Sequence, residues 1–140
     1  MTNVLSSTPV HAPDAERGVG RRVLVVDSDP ETRELCRRVL QEQGFVPEVC
    51  DSGVAALSAA RQNPPALILL DLQLHDVEGL QFIAWLRSDP TLVSIPVIAI
   101  SATAEDAARL PAKKLGTLLR KPLSAAMIAR SVRQSIQAHS

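Results

Sequence analysis

Four short apolar runs constrain this chain more than any other feature. Val23-Leu24-Val25-Val26, Ala66-Leu67-Ile68-Leu69-Leu70, Ile95-Pro96-Val97-Ile98-Ala99-Ile100 and the briefer Thr117-Leu118-Leu119 are solid rather than alternating. A strand with no polar face must be covered on both sides. The segments between the runs read as helices. Asp29-Pro30-Glu31 supplies a cap, a proline suited to the first helical position and an acid for the first turn. Leu35, Cys36, Val39 and Leu40 then recur at helical spacing, and Gly44 provides the stop. Phe45 to Cys50 is a poorer strand, and Pro47 within it points to a sheet edge. Ser52 can cap a second helix through Arg61, with Leu57 and several alanines inward, ended by Asn63-Pro64-Pro65. A third helix lies near Leu80 to Arg87 and is broken by Ser88-Asp89-Pro90. A short one around Ala104 to Leu110 stops near Pro111. Ser124 caps a last helix with Met127, Ile128, Val132 and Ile136 on one face. Five βα units of this kind predict an α/β fold around a parallel sheet.

The length of 140 residues suits one domain and excludes two sizeable ones. Residues 1–20 are rich in Pro, Ser, Gly and Ala and are expected to be a flexible tail, with the domain proper over 21–140. Lys+Arg and Asp+Glu both number 15, so no global positive field gathers nucleic acid or an anionic membrane. With 2% aromatics and no Tyr, a stacking platform for single strands is excluded. Cys36 and Cys50 fit neither a disulfide framework nor a zinc pattern and read as small buried hydrophobes. No apolar run approaches the ~18 residues of a membrane span, and no signal peptide is visible, so a cytoplasmic location is expected. Gly18-Val19-Gly20 precedes the first strand, whereas a dinucleotide fingerprint must follow it.

The apolar runs end in chemistry. The first ends at Asp27, the third strand at Asp71 and the fourth at Ser101, while Lys121 follows the fifth almost at once. In a parallel sheet all four lie at the carboxyl edge, where open α/β folds place ligands. One such residue would mean little, since every strand leaves the core somewhere. Two carboxylates, a hydroxyl and a lysine at one edge form a set. The carboxylates repel unless a cation lies between them, and oxygen ligands of this kind suit Mg²⁺. A carboxylate is also a nucleophile towards phosphorus, and the phosphoryl oxygens then need the metal, the Lys121 ammonium and the Ser101 hydroxyl. The set therefore reads as a magnesium-assisted aspartyl-phosphate site. Asp71 closes the most hydrophobic strand and suits the acceptor; Asp27 and Asp29 suit the metal side, although Asp29 is better explained as a helix cap.

The segments VLVVDSDP, LILLDLQLHDVEGL, PVIAISA and LRKPLS stand in the order, and at nearly the spacing, of a known family. From about Val23 to Gln134 the chain resembles the receiver domain of bacterial two-component response regulators, as in the stand-alone chemotaxis regulator. The resemblance implies a flavodoxin-like, doubly wound (βα)5 fold with a five-stranded parallel sheet of order 2-1-3-4-5. It matches Asp71 to the phosphoacceptor, Asp27 to the first residue of the acidic pair and Ser101 to the hydroxyl that shifts on activation. Lys121 matches the lysine that pairs with the phosphoryl group, and Pro122 a proline whose preceding bond is often cis. Gln73 stands where a backbone carbonyl completes the Mg²⁺ site, and Glu78-Gly79 where Asp-Gly usually opens the third helix. The implied phosphodonor is a sensor histidine kinase or phosphotransfer protein. The implied output is a changed affinity for a downstream protein through the face of the fourth helix, fifth strand and fifth helix. A homodimer through that face is left open, and no catalytic turnover beyond self-phosphorylation and self-dephosphorylation is implied.

Several positions depart from the family pattern. Ser28 stands where a second acid usually touches Mg²⁺, so metal affinity should fall unless Asp29 or water substitutes. Leu118 occupies the switch-aromatic position, and His75 replaces a common proline. The stretch from Ser101 to Lys121 is short by about two residues, its alanine-rich helix broken by Pro111. Two rival readings follow. A degenerate receiver would bind a partner without phosphorylation; Ser28 and Leu118 favour it, while Asp71, Ser101 and Lys121 speak against it. Asp27-x-Asp29 is also similar to the opening motif of haloacid-dehalogenase-type phosphatases. Those enzymes need a further acidic motif late in the chain, and nothing acidic follows Asp106. DNA binding would need a second domain, for which there is no room.

Overall fold

The computed structural model describes residues 20–103 and 117–138. The elements are β1 (Arg22–Val26), α1 (Pro30–Glu42), β2 (Val46–Cys50), α2 (Gly53–Gln62), β3 (Leu67–Asp71), α3 (Gly79–Ser88), β4 (Val97–Ser101), β5 (Thr117–Arg120) and α4 (Ala125–Ala138). The short helix expected around Ala104 to Leu110, and the tail before Gly20, lie outside the described residues.

All four strand pairings are parallel, and the sheet order is β2-β1-β3-β4-β5, the order the family resemblance implied. Because successive side chains of a strand point to opposite faces, the solid runs split into two cores. Leu24, Val26, Ile68 and Leu70 face α2 and α3, meeting Ala56, Ala60, Phe82 and Leu86. Val23, Val25, Leu67 and Leu69 face α1 and α4, meeting Cys36, Leu40, Ile128 and Val132. Each fully buried aliphatic side chain of this kind contributes about 1.5–3 kcal/mol.

Local signals set the helix starts. Asp29 accepts from the Glu31 N–H at the head of α1, and Ser52 accepts from the Ala55 N–H at the head of α2. The Ser124 hydroxyl accepts from the Met127 N–H before α4. After α1, Gly44 has φ of 89°, the left-handed conformation that favours glycine.

Three expectations need correction. The fourth strand begins at Val97, not Ile95, since Pro96 has no N–H for the ladder. The second begins at Val46, with Phe45 buried before it. Cys36 is fully buried, but Cys50 is only half-buried, because β2 is indeed the edge strand.

Helix α1 leaves β1 towards one face of the sheet, and α3 leaves β3 towards the other. The connections diverge between adjacent strands and open a crevice at their carboxyl ends.

Candidate functional site

Asp27 directly follows β1 and Asp71 ends β3, on neighbouring strands paired Val26 to Leu70. Both carboxylates are buried, Asp27 completely and Asp71 to 4% exposure. Lys121 reaches them from the end of β5. Its Nζ lies 3.2 Å from Asp71 Oδ2 and 3.3 Å from Asp27 Oδ2. The sequence places these three residues up to 94 positions apart, and the sheet brings them together.

The charges are unbalanced. Burial pushes the Asp27 carboxyl up to about 6, with the Asp71 carboxylate adding to the rise and the Asp29 N–H and Lys121 opposing it. Burial acts to lower Lys121, but the two carboxylates win and raise it. Asp27 Oδ1 accepts from the Asp29 N–H at 2.8 Å and from the Lys121 ammonium at 3.4 Å, whereas among the described residues the buried Oδ2 has no hydrogen-bond partner. The Lys121 contact to Oδ2 is therefore an ion pair without hydrogen-bond geometry. Asp71 Oδ1 accepts from the Gln73 N–H at 2.9 Å, and its Oδ2 faces Lys121.

An orphaned, buried carboxylate oxygen beside a second carboxylate is an arrangement that a small divalent cation fits. Among the described residues no three His, Cys, Asp or Glu side chains are grouped to hold a metal. A cation here would complete its shell from backbone oxygen and water, which is how Mg²⁺ usually binds.

The other expected site residues are placed as follows. Asp29 is occupied as the α1 cap: Oδ1 accepts from the Glu31 N–H at 3.2 Å and Oδ2 from the Thr32 hydroxyl at 2.7 Å. The Thr32 bond, helped by the Glu31 N–H, holds its carboxyl below the usual range. The Ser28 hydroxyl donates to the Asp51 carbonyl at 3.5 Å and accepts from the His75 N–H at 3.3 Å. Ser101 is buried at the end of β4, and its hydroxyl donates to the Thr103 carbonyl at 2.6 Å. His75 is an exposed loop residue, and Leu118 packs against the core cluster facing α2 and α3. The Lys121–Pro122 bond is cis. An open groove of about 830 Å³ runs beside α1, with Lys121, Pro122 and Leu123 on one side and Pro30 and Leu35 on the other.

Sequence reasoning missed three contributors. Arg33 donates to the Asp27 carbonyl at 2.7 Å and fixes the end of β1. Thr32 shares the Asp29 cap; Thr three residues after a capping Asp was a readable signal. Asp76 accepts from the Gly53 and Val54 N–H groups, both at 2.9 Å, and so caps α2 from 23 and 22 residues away. No local pattern reveals a cap from such a distance.

The family model for the response regulator receiver domain matches residues 23–133. A curated relative, the polar-differentiation response regulator DivK of Brucella ovis, is 35% identical over 106 residues, covering 74% of this chain and 86% of that protein. An uncharacterised 14.6 kDa protein of Leptolyngbya boryana is 32% identical over 114 residues, covering 80% of this chain and 87% of that one. Among solved structures, a CheY-like response regulator receiver domain from Methylobacillus flagellatus superposes with a TM-score of 0.74 at 26% identity, covering 84% of this chain and 98% of that one.

Proposed function

Because the chain belongs to the response regulator receiver domain family, we propose that it accepts a phosphoryl group on Asp71 and thereby changes its affinity for a protein partner. Receiver domains are signalling modules of two-component systems rather than enzymes with a separate substrate. The observation that carries the reading is the convergence of Asp27, Asp71 and Lys121, with Lys121 Nζ 3.2 Å from Asp71 Oδ2.

In the step itself, an Asp71 carboxylate oxygen forms a bond to phosphorus. The bond from phosphorus to a donor imidazole nitrogen breaks, and the nitrogen keeps the electron pair. The product is an acyl phosphate. Lys121 is placed to neutralise a phosphoryl oxygen as charge develops. Its ammonium is held charged by the two carboxylates, so it enters the step as a cation. The Gln73 N–H orients the acceptor through Asp71 Oδ1. The Ser101 hydroxyl can serve the phosphoryl group only by leaving Thr103.

Mg²⁺ would be held by Asp27, Asp71 and the Gln73 carbonyl, with Ser28 and Asp29 as further oxygen sources. When bound it supplies charge neutralisation for the two carboxylates and the incoming phosphoryl oxygens. Asp29 would first have to give up its cap on α1, and Ser28 carries no charge, so weak metal binding is expected. The donor is a sensor histidine kinase or phosphotransfer protein, for which the groove beside Lys121 leaves room. The downstream partner docks on the face that includes β5 and α4, and a homodimer through that face is part of the same reading. No helix among the described residues is long and apolar enough to cross a membrane, in keeping with work in the cytoplasm.

Ser28 also favours a second reading, a receiver that binds its partner without phosphorylation, because its hydroxyl ties loops together and adds no metal-binding charge. One experiment separates the two. The chain is treated with acetyl phosphate and millimolar Mg²⁺, and its intact mass is followed. A gain of one phosphoryl group that Asp71→Asn abolishes supports the first reading. An unchanged mass supports the second.

A further inference from the structure

Asp71 opens a loop, Leu72 to Glu78, whose shape is fixed at both ends. At its neck the Gly79 N–H donates to the Leu72 carbonyl at 3.1 Å, and Gln73 pairs with Glu78. A Cβ on Gly79 would lie 2.6 Å from the Leu72 Cα, so only glycine lets the two arms close. At the far end the Asp76 carboxylate spans the first two N–H groups of α2, one oxygen to each. Val77 packs beside it where Gly53 has no side chain; a Cβ there would lie 2.2 Å from Val77 Cγ1. On its flank the loop is held again, by the His75 N–H on the Ser28 hydroxyl. The same loop supplies the Gln73 N–H that orients the Asp71 carboxylate.

We propose that Asp76 is a positioning residue for phosphoryl transfer: by fastening this loop to the start of α2 it sets the orientation of the Asp71 carboxylate. The proposal rests on Asp71 being the phosphoacceptor. The fastening is strong for its kind, since a carboxylate meets two N–H groups at the positive end of a helix. Asp76 is exposed; its slight burial acts to raise the carboxyl, but the Gly53 and Val54 N–H groups hold it below its usual range. Without the tether the loop keeps its neck, the packing of Leu74 and Val77 and the 3.3 Å contact of the His75 N–H to a hydroxyl, but loses the carboxylate that fastens it to α2. The Gln73 N–H then samples positions that release Asp71 Oδ1, and the carboxylate spends less time in the reactive orientation.

Asp76 also caps α2, and a cap alone contributes stability. The protein holds a matched control. Ser52 caps the same helix from the position before it, through the Ala55 N–H at 3.2 Å, and among the described residues its hydroxyl makes no hydrogen bond to the Asp71 loop. The initial rate of Asp71 labelling by acetyl phosphate with Mg²⁺ is measured by intact mass for the full chain and for Asp76→Ala, Asp76→Asn and Ser52→Ala. Urea unfolding and amide hydrogen exchange at Gln73 and His75 are followed in parallel. We expect Asp76→Ala to label about tenfold more slowly, with faster exchange at both amides. Asp76→Asn, which keeps an oxygen for one of the two N–H groups, recovers part of the rate. Ser52→Ala labels at the wild-type rate despite its loss of stability. Should Asp76→Ala fail to fold, Asp76→Asn against Ser52→Ala carries the same comparison. Wild-type labelling in the Asp76 variants, or an equal slowing in Ser52→Ala, overturns the proposal. A wild-type chain that takes no label overturns the phosphoacceptor reading, and the proposal falls with it.

Discussion

Replacing Asp27 with Asn should make the metal-free protein more stable at neutral pH. The carboxyl is fully buried, one oxygen has no hydrogen-bond partner among the described residues, and its ionisation is pushed up to about 6 from an ordinary 3.8. A group whose folded value is raised favours the fold while protonated and loses that advantage as pH rises through the folded value. The difference corresponds to about 3 kcal/mol of stability lost by pH 7 relative to a side chain that cannot ionise. The gap shrinks to about half of that at pH 5 and nearly closes by pH 4. The attraction of Lys121 is already contained in that raised value, so its loss in the variant is not a further cost. The expected net increase at pH 7.5 is therefore about 1–3 kcal/mol. Urea denaturation with a chelator present, at pH 7.5 and pH 4, measures it. Added Mg²⁺ should raise the wild-type midpoint and leave that of Asp27→Asn nearly unchanged. A variant less stable than wild type at pH 7.5, or a difference that does not vary with pH, would refute the assignment of Asp27 as a strained, metal-seeking carboxylate.

Other consequences follow from the same geometry. Lys121→Ala leaves two adjacent buried carboxylates without their cation; it should abolish labelling of Asp71 and lower stability by about 1–3 kcal/mol at pH 7.5, read by urea denaturation. Gly79→Ala forces a methyl group against the Leu72 backbone, and the same measurement should show a loss of about 1–3 kcal/mol or more. Cys36 is buried, and burial pushes its thiol up to about 12, so it should stay silent to a thiol reagent until the chain unfolds. Counting reactive thiols with and without urea tests this.

Much of this fold is legible because its strands are buried on both faces. Val23 to Val26 and Leu67 to Leu70 could hardly be anything but central parallel strands, and capping residues mark where α1, α2 and α4 begin. The strand ends then place Asp27 and Asp71 at one edge of the sheet, and the strand order that the family resemblance implied sets them side by side. What stayed hidden depends on contacts between segments far apart in the chain. Asp76 reads as an ordinary loop acid, and only the folded chain brings it to the start of α2. The position of Ser101 at a strand end assigns its hydroxyl to the site, but the hydroxyl is turned to the Thr103 carbonyl, an orientation that no sequence pattern encodes. Pro96 and Phe45 read as part of neighbouring apolar runs, because hydrophobicity continues past the point where backbone pairing stops.

A crystal structure of the chain with Mg²⁺ and beryllofluoride puts the heart of this account to the most direct test. It should show beryllium bonded to an Asp71 oxygen, Lys121 on a fluorine, and one cation shared by Asp27, Asp71 and the Gln73 carbonyl. A bare Asp71 at saturating beryllofluoride, with the cation bound elsewhere, would contradict it.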